Sequence, residues 1–209
     1  MVRYARRERE SLADALGAVP PDAPTLCAGW SARDLAAHIV LRDRRPIAAA
    51  GILLKPLRGI NERTQRRLAA GDYAELVATV RQAPKLSPMS VPKLDELGNT
   101  LEFFVHTEDV RRAQPDWQPR SLDAGLVDAL WGRVGGVARL ALRRVPAAIT
   151  LVAPGRPPAR GGAGGPAVEI RGDPGELLLF CSGRQQAARV EFDGPADVVA
   201  RLRDARLGL

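Results

Sequence analysis

Thr100-Leu101-Glu102-Phe103-Phe104-Val105-His106-Thr107-Glu108-Asp109-Val110 is the stretch on which the reading of this chain turns. It lies within a long helix expected over residues 94–113. Glu102 stands four residues before His106, so the two share one helix face about one turn apart. Asp109, three residues beyond His106, extends that face. A carboxylate placed among Leu101, Phe103, Phe104 and Val105 carries a heavy desolvation cost if it is buried without a partner. The chain contains only two histidines, and the other is His38.

His38 falls on a second helix with a clear start. Ser31-Ala32-Arg33-Asp34 forms a capping box, in which the Ser31 hydroxyl accepts a backbone N–H and Asp34 reaches back. The helix runs through Leu35, His38, Ile39 and Arg42 to about Arg45, where Pro46 ends or kinks it. His38 shares its apolar side with Leu35, Ile39 and Leu41. Outward from these two segments the helical pattern continues. Residues 2–17 carry Ala5, Leu12, Ala13 and Leu16 on one stripe, and Val19-Pro20-Pro21-Asp22-Ala23-Pro24 breaks it. Further helices are expected at 59–70, at 73–83 behind Asp72 as N-cap, and at 122–144, with a loop over 84–92.

The pattern changes after residue 145. Ala148-Ile149-Thr150-Leu151-Val152 and Ala167-Val168-Glu169-Ile170-Arg171 read as strands, the second alternating with period two. The stretch from Gly155 to Pro166 between them reads as a flexible loop, and no Lys-Ser/Thr follows its glycines as a phosphate cradle requires. Asp173-Pro174 opens a short helix, Arg189-Val190-Glu191-Phe192 is a third strand, and 195–206 a last helix. The expected organisation is a helical domain over 1–145 and a small α+β domain over 146–209. At roughly 60 residues the second is marginal alone and should lean on the helices.

Two histidines and one glutamate converging from two helices make a three-ligand zinc site with an open fourth position, the catalytic pattern. Bundle cores build metal sites this way. The competing reading is plain: Glu–His four apart is often only a surface pair, and a single His on an apolar face is often a hydrogen-bonded core residue. Standard short motifs do not decide the matter. His-Glu-x-x-His is absent, no Pro-Cys-x-x-Cys follows His106-Thr107-Glu108, and two Glu-x-x-His units for a di-iron site do not occur.

Composition removes several function classes. No apolar run approaches the length that spans a membrane, and the basic N-terminal stretch has no apolar core behind it, so no secretory signal is expected. Cys27 and Cys181 cannot build a disulfide framework, which fits a reducing cytoplasm. The net charge of +7 comes from 31 basic residues, all but Lys55, Lys85 and Lys93 being arginine. With abundant Ala, Gly and Pro, that bias reads as the codon usage of a GC-rich genome. Nine aromatics, none interleaved with an Arg cluster, argue against nucleic-acid binding.

The segment from Leu26 to His38, Leu-Cys-Ala-Gly-Trp-Ser-Ala-Arg-Asp-Leu-Ala-Ala-His, resembles the N-terminal signature of the mycothiol-dependent maleylpyruvate isomerase family, within the DinB-like metal-binding bundles. Glu102 to Asp109 is similar to its second signature, and Gly175 to Arg184 to that of its C-terminal domain. The resemblance implies an N-terminal DinB-like four-helix bundle followed by a small α+β domain, with His38, Glu102 and His106 holding a divalent metal, zinc above others. It implies mycothiol as cofactor, a small electrophilic substrate, and a thiol transferase or cis-trans isomerase of the cytoplasm, in keeping with the actinobacteria that make this thiol. A coordinated thiol is deprotonated and becomes a nucleophile. The alternative is a non-catalytic metal- or small-molecule-binding protein of the same fold.

Other residues carry paired readings. Asp109 either orients a ligand or acts as general base. Arg42 and Arg45, one and two turns beyond His38, either clamp a substrate carboxylate or are solvated surface arginines. Asp34 is taken by the cap. Trp30 reads as a core anchor, Cys27 as a reactive thiol or a small buried residue, and Cys181 as packing.

Overall fold

The computed structural model describes residues 4–45, 55–84 and 92–208. The expected stop at Pro46 and most of the loop expected over 84–92 lie outside the described residues. The chain divides into two compact units, Met1–Pro119 and Arg120–Leu209.

The first unit is helical. It comprises α1 (Tyr4–Gly17), α2 (Ala32–Arg44), a 3-10 turn (Lys55–Leu57), α3 (Arg58–Ala69), α4 (Tyr73–Arg81) and α5 (Pro92–Arg111). Its core draws Leu12 and Leu16 from α1, Leu35 and Ile39 from α2, Leu76 and Val80 from α4, and Phe103 and Val110 from α5. The stripe read on α1 is the buried one: Ala5, Leu12, Ala13 and Leu16 are fully covered. The capping box forms, with Ser31 Oγ accepting from Asp34 N at 3.3 Å and Asp34 accepting from Ser31 N at 3.0 Å. Such a cap stabilises a helix start by about 1 kcal/mol. Asp72 caps α4 by accepting from Glu75 N at 2.8 Å. α1 packs along α5, and α2 against α3 and α4.

The second unit contains α6 (Ala124–Ala141), α7 (Pro174–Cys181), α8 (Ala196–Asp204) and a four-stranded sheet of order β2-β1-β3-β4. The strands are β1 (Ala148–Val152), β2 (Ala159–Gly161), β3 (Ala167–Arg171) and β4 (Glu191–Asp193). β1 and β3 pair in parallel, and the two outer pairings are antiparallel. Ile149 and Leu151 of β1 and Val168 and Ile170 of β3 are buried, as the period-two reading requires. All eight residues of α7 are buried, Cys181 among them.

Two expectations are corrected here. The helix expected over 122–144 belongs by the sequence reading to the helical domain over 1–145; in the structure α6 buries Leu126, Leu130 and Val134 and packs on α7 and β2, and the compact units part at Pro119. Its periodicity shows that one face is apolar but not which partner covers it. Within the stretch from Gly155 to Pro166, read as a flexible loop, β2 pairs Ala159 and Gly161 with Leu151 and Ile149. Three residues without apolar alternation give no strand signal; the partner strand supplies it. Gly162, just beyond it, is required by close approach. At Gly162, with φ +89°, a Cβ would sit 1.9 Å from the Ala147 carbonyl oxygen.

A buried ion pair ties the first unit together. Arg9 of α1 donates to Asp43 of α2 at 2.6 Å and to the Val80 carbonyl at 3.0 Å, and its guanidinium lies over the Phe103 ring at 4.4 Å. Both partners are almost wholly buried. Arg9→Ala leaves Asp43 charged with its nearest cation lost, and should lower the stability of this unit by about 3–5 kcal/mol. Urea unfolding followed by circular dichroism measures this, and Arg9→Met with Asp43→Leu should recover much of the loss.

Candidate metal centre

α2 and α5 bring both histidines to one carboxylate. Glu102 Oε1 lies 3.2 Å from His106 Nε2 and 3.7 Å from His38 Nε2. The imidazole rings are 5.6 Å apart in an edge-on arrangement. One ligand atom from each of the three lies within 4.8 Å of the others. Metal–ligand bonds of about 2.0–2.1 Å at tetrahedral angles put neighbouring ligand atoms about 3.3 Å apart, so these side chains fit a divalent ion with little rearrangement. They are also shielded, with side-chain exposures of 12% for His38, 10% for His106 and 29% for Glu102.

The far side of His106 is held as firmly. Asp109 Oδ2 lies 2.8 Å from His106 Nδ1, and its side chain is fully buried. Cys27 Sγ donates to the same Oδ2 at 3.2 Å and lies 3.9 Å from Nδ1. A carboxylate accepting at Nδ1 assigns the proton there and turns Nε2 toward Glu102, the arrangement typical of metal-binding histidines. Cys27 reaches Asp109 because its loop is fastened to α5. Leu26 N donates to the Asp109 carbonyl at 3.0 Å, and Thr25 Oγ1 donates to the Trp30 carbonyl at 2.8 Å. The same loop sets the Trp30 ring 4.9 Å from the His38 ring. Cys27, His106 and Asp109 are themselves spaced as a possible ligand group.

The electrostatics follow from these contacts. Burial pushes the Glu102 carboxyl up, but hydrogen bonds from His106 and His38 and the charges of His106 and Arg42 outweigh it, and the group is held well below the usual carboxylate range. Burial likewise pushes His106 down, yet its bonds to Asp109, Cys27 and Glu102 prevail and hold it well above an ordinary imidazole. Both shifts favour the charged form of the group concerned.

The two arginines part company. Arg42 directs Nε to Glu102 Oε1 at 3.4 Å and donates to Asn99 Oδ1 at 2.6 Å, so its guanidinium is built into the centre. Arg45 is the exposed C-cap of α2, about 10 Å along the axis from His38, and is not brought to the cluster. Asp34 stays in its cap. The helix faces single out His38, Glu102 and His106, whereas the links of Cys27 to Asp109 and of Asn99 to Arg42 join residues far apart in sequence and leave no local pattern.

Residues 2–50 match the family model described as the mycothiol maleylpyruvate isomerase N-terminal domain. This supports the family suspected from the segments around His38 and His106. Two solved structures resemble the chain across its length: a His→Ala variant of the mycothiol-dependent maleylpyruvate isomerase (TM-score 0.64, 12% identity, covering 91% of this chain and 90% of that one) and the mycothiol-dependent maleylpyruvate isomerase itself (TM-score 0.62, 13% identity, the same coverage). At such identity the likeness is one of fold, a mostly helical chain with a small four-stranded sheet. No curated protein sequence matches.

Binding of a metal at Nε2 requires neutral His106, so metal uptake must expel its proton. Zinc affinity, measured by competition with a chromophoric chelator, should therefore rise with pH from 6.5 upward and level only above the raised pKa of His106. Asp109→Asn should weaken affinity by about 10–100-fold at high pH, where proton competition no longer contributes.

Proposed function

We propose that this chain is a divalent-metal-dependent enzyme that uses a low-molecular-weight thiol, mycothiol by the family resemblance, to transfer that thiol to an electrophile or to isomerise a cis double bond. The observation that carries the reading is that His38, Glu102 and His106 each bring one ligand atom within 4.8 Å of the others. The N-terminal match to the isomerase family and the fold shared with the isomerase support it. We read the helices α1, α2, α4 and α5 around the core of Leu12, Leu35, Leu76 and Phe103 as the DinB-like bundle. No helix among the described residues is long and apolar enough to cross a membrane, and a cytoplasmic setting is part of the proposal.

A metal held by His38, Glu102 and His106 would act as a Lewis acid that lowers the pKa of a thiol beside it. The protein's own residues prepare that event. Asp109 keeps His106 Nε2 facing the centre. Glu102 supplies negative charge that favours a cation there, and Arg42 limits that charge. In an isomerisation the thiolate adds to the β-carbon of a conjugated cis alkene and forms a C–S bond. The alkene π pair moves onto the carbonyl oxygen as an enolate, rotation occurs about the former double bond, and the enolate pair returns to re-form the C=C bond while the thiolate leaves with the C–S pair. In a transfer the C–S bond forms and the leaving group departs with its electrons. Arg42 is the cation nearest the centre for a substrate carboxylate. The role given to Arg45 is more remote, since it is exposed at the helix end.

The test is metal content together with turnover. Purified protein should hold about one equivalent of zinc or a similar ion, and His38→Ala or Glu102→Ala should lose it by elemental analysis while keeping the parent's circular dichroism. Metal-loaded parent protein with mycothiol should convert maleylpyruvate, or a member of a panel of unsaturated and alkylating electrophiles. Full metal retention in both variants overturns the site. Metal binding without any conversion across the panel favours the non-catalytic binding protein.

A further inference from the structure

A pocket of about 320 Å³ lies within the second unit, between the end of α6, the turn after it, α8 and the tail that follows α8. Its deeper lining is apolar. Val198 and Leu202 are buried, and Ala141, Val145 and Leu207 are partly buried. Leu140 extends that surface outward; at 47% exposure it is one of two large apolar side chains exposed among the described residues. The charged lining residues are all arginine: Arg143, Arg144, Arg201 and Arg206, each exposed. No Asp or Glu lines the pocket among the described residues.

The tail that makes one wall is held in place. Gln185 Nε2 donates to the Ala205 carbonyl, and Gln186 Nε2 to the Arg203 carbonyl at 3.3 Å. Gly183, at φ +86°, lets the tail approach, since a Cβ there would lie 2.7 Å from the Leu207 carbonyl oxygen. A tail tied down in this way forms a standing wall and not a frayed end.

Structural duties account for two of the four arginines. Arg143 donates to the Leu140 carbonyl at 2.9 Å, at the open end of α6, and Arg201 pairs with Asp197 one turn back at 2.9 Å. Arg144 and Arg206 make no ion pair among the described residues. An apolar recess with a few polar groups is the usual form of a small-molecule site. Guanidiniums without a carboxylate attract an anion, and a planar carboxylate can take two parallel hydrogen bonds from one of them. A small inorganic anion would leave the apolar lining uncovered, and a neutral apolar molecule would leave the arginines unanswered.

We propose that this pocket is a second ligand site, built from none of the residues of the histidine–glutamate cluster, which takes a small monocarboxylic acid with an apolar body. Arg144 and Arg206 hold the carboxylate, and the body lies against Val198, Leu202 and Leu140. The site needs no metal and does not depend on the reading of the chain as a thiol-using enzyme.

Full-length 15N-labelled protein is titrated with octanoate, octanamide and acetate, and amide shifts are followed at Leu140–Val145 and Val198–Gly208. Octanoate should give saturable shifts at those segments, with a dissociation constant of about 0.1–1 mM. Octanamide, which lacks the charge, and acetate, which lacks the body, should each bind at least about tenfold more weakly. Arg144→Gln/Arg206→Gln should weaken octanoate by about tenfold or more. Both side chains are exposed, so the variant should fold, which an unchanged amide spectrum away from the pocket checks. Equal affinity for octanoate and octanamide, octanoate affinity unchanged in the variant, or shifts only at other residues each overturns the assignment. So does a response of these segments to phosphatidylglycerol vesicles with none to octanoate, which marks a lipid-facing surface instead.

Discussion

The carboxylate of Asp109 is the constraint around which the first unit is organised. It is fully buried, and a buried carboxyl group is tolerated only when it is paired and hydrogen-bonded. Its Oδ2 is met by the His106 ring at 2.8 Å and the Cys27 thiol at 3.2 Å, and these contacts have geometric consequences. The ring of His106 is fixed with Nε2 toward Glu102. The loop preceding α2 is drawn onto α5, which brings Trp30 against His38 from the other side. One carboxylate thus sets the attitude of one histidine directly and supports that of the other through a short, bonded loop.

Charge is distributed so that no member of the centre stands alone. Glu102 is flanked by both histidines and Arg42, and Arg42 is itself shared with Asn99 and Asp43. Asp43 in turn accepts from Arg9 of α1. A chain of alternating charges runs from the metal-ligand set to the Arg9–Asp43 pair that links α1 to α2. At its buried end such a network holds its geometry because breaking the Arg9–Asp43 pair leaves a charge without solvent. A site that must present three donor atoms at set spacings benefits from that rigidity.

The two stretches read first in the sequence prove to be the ones that meet in space. His38 and Glu102 are 64 residues apart, yet each is legible because its helix carries a local signal: a capping box before one, a four-residue Glu–His spacing in the other. Arg42 shows the limit of such reading. Its position one turn beyond His38 is right, but its guanidinium is engaged by Glu102 and Asn99, which only the approach of α5 makes possible. Cys27 shows it again, since nothing near residue 27 announces a buried aspartate 82 residues later.

What the sequence determined by itself is what depends on near neighbours: the helix starts at Ser31 and Asp72, the apolar stripe of α1, the alternation of β1 and β3, and the faces on which His38, Glu102, His106 and Asp109 stand. These follow from backbone periodicity and from hydrogen bonds three or four residues long. What the tertiary structure alone decided is what depends on a partner. It assigned α6 to the sheet, made a strand of Ala159–Gly161, tied Cys27 to Asp109, and brought Arg144 and Arg206 to one pocket. In each case the deciding contact joins segments whose separation no period can encode, because a helical or strand pattern specifies which face is apolar and not what will cover it.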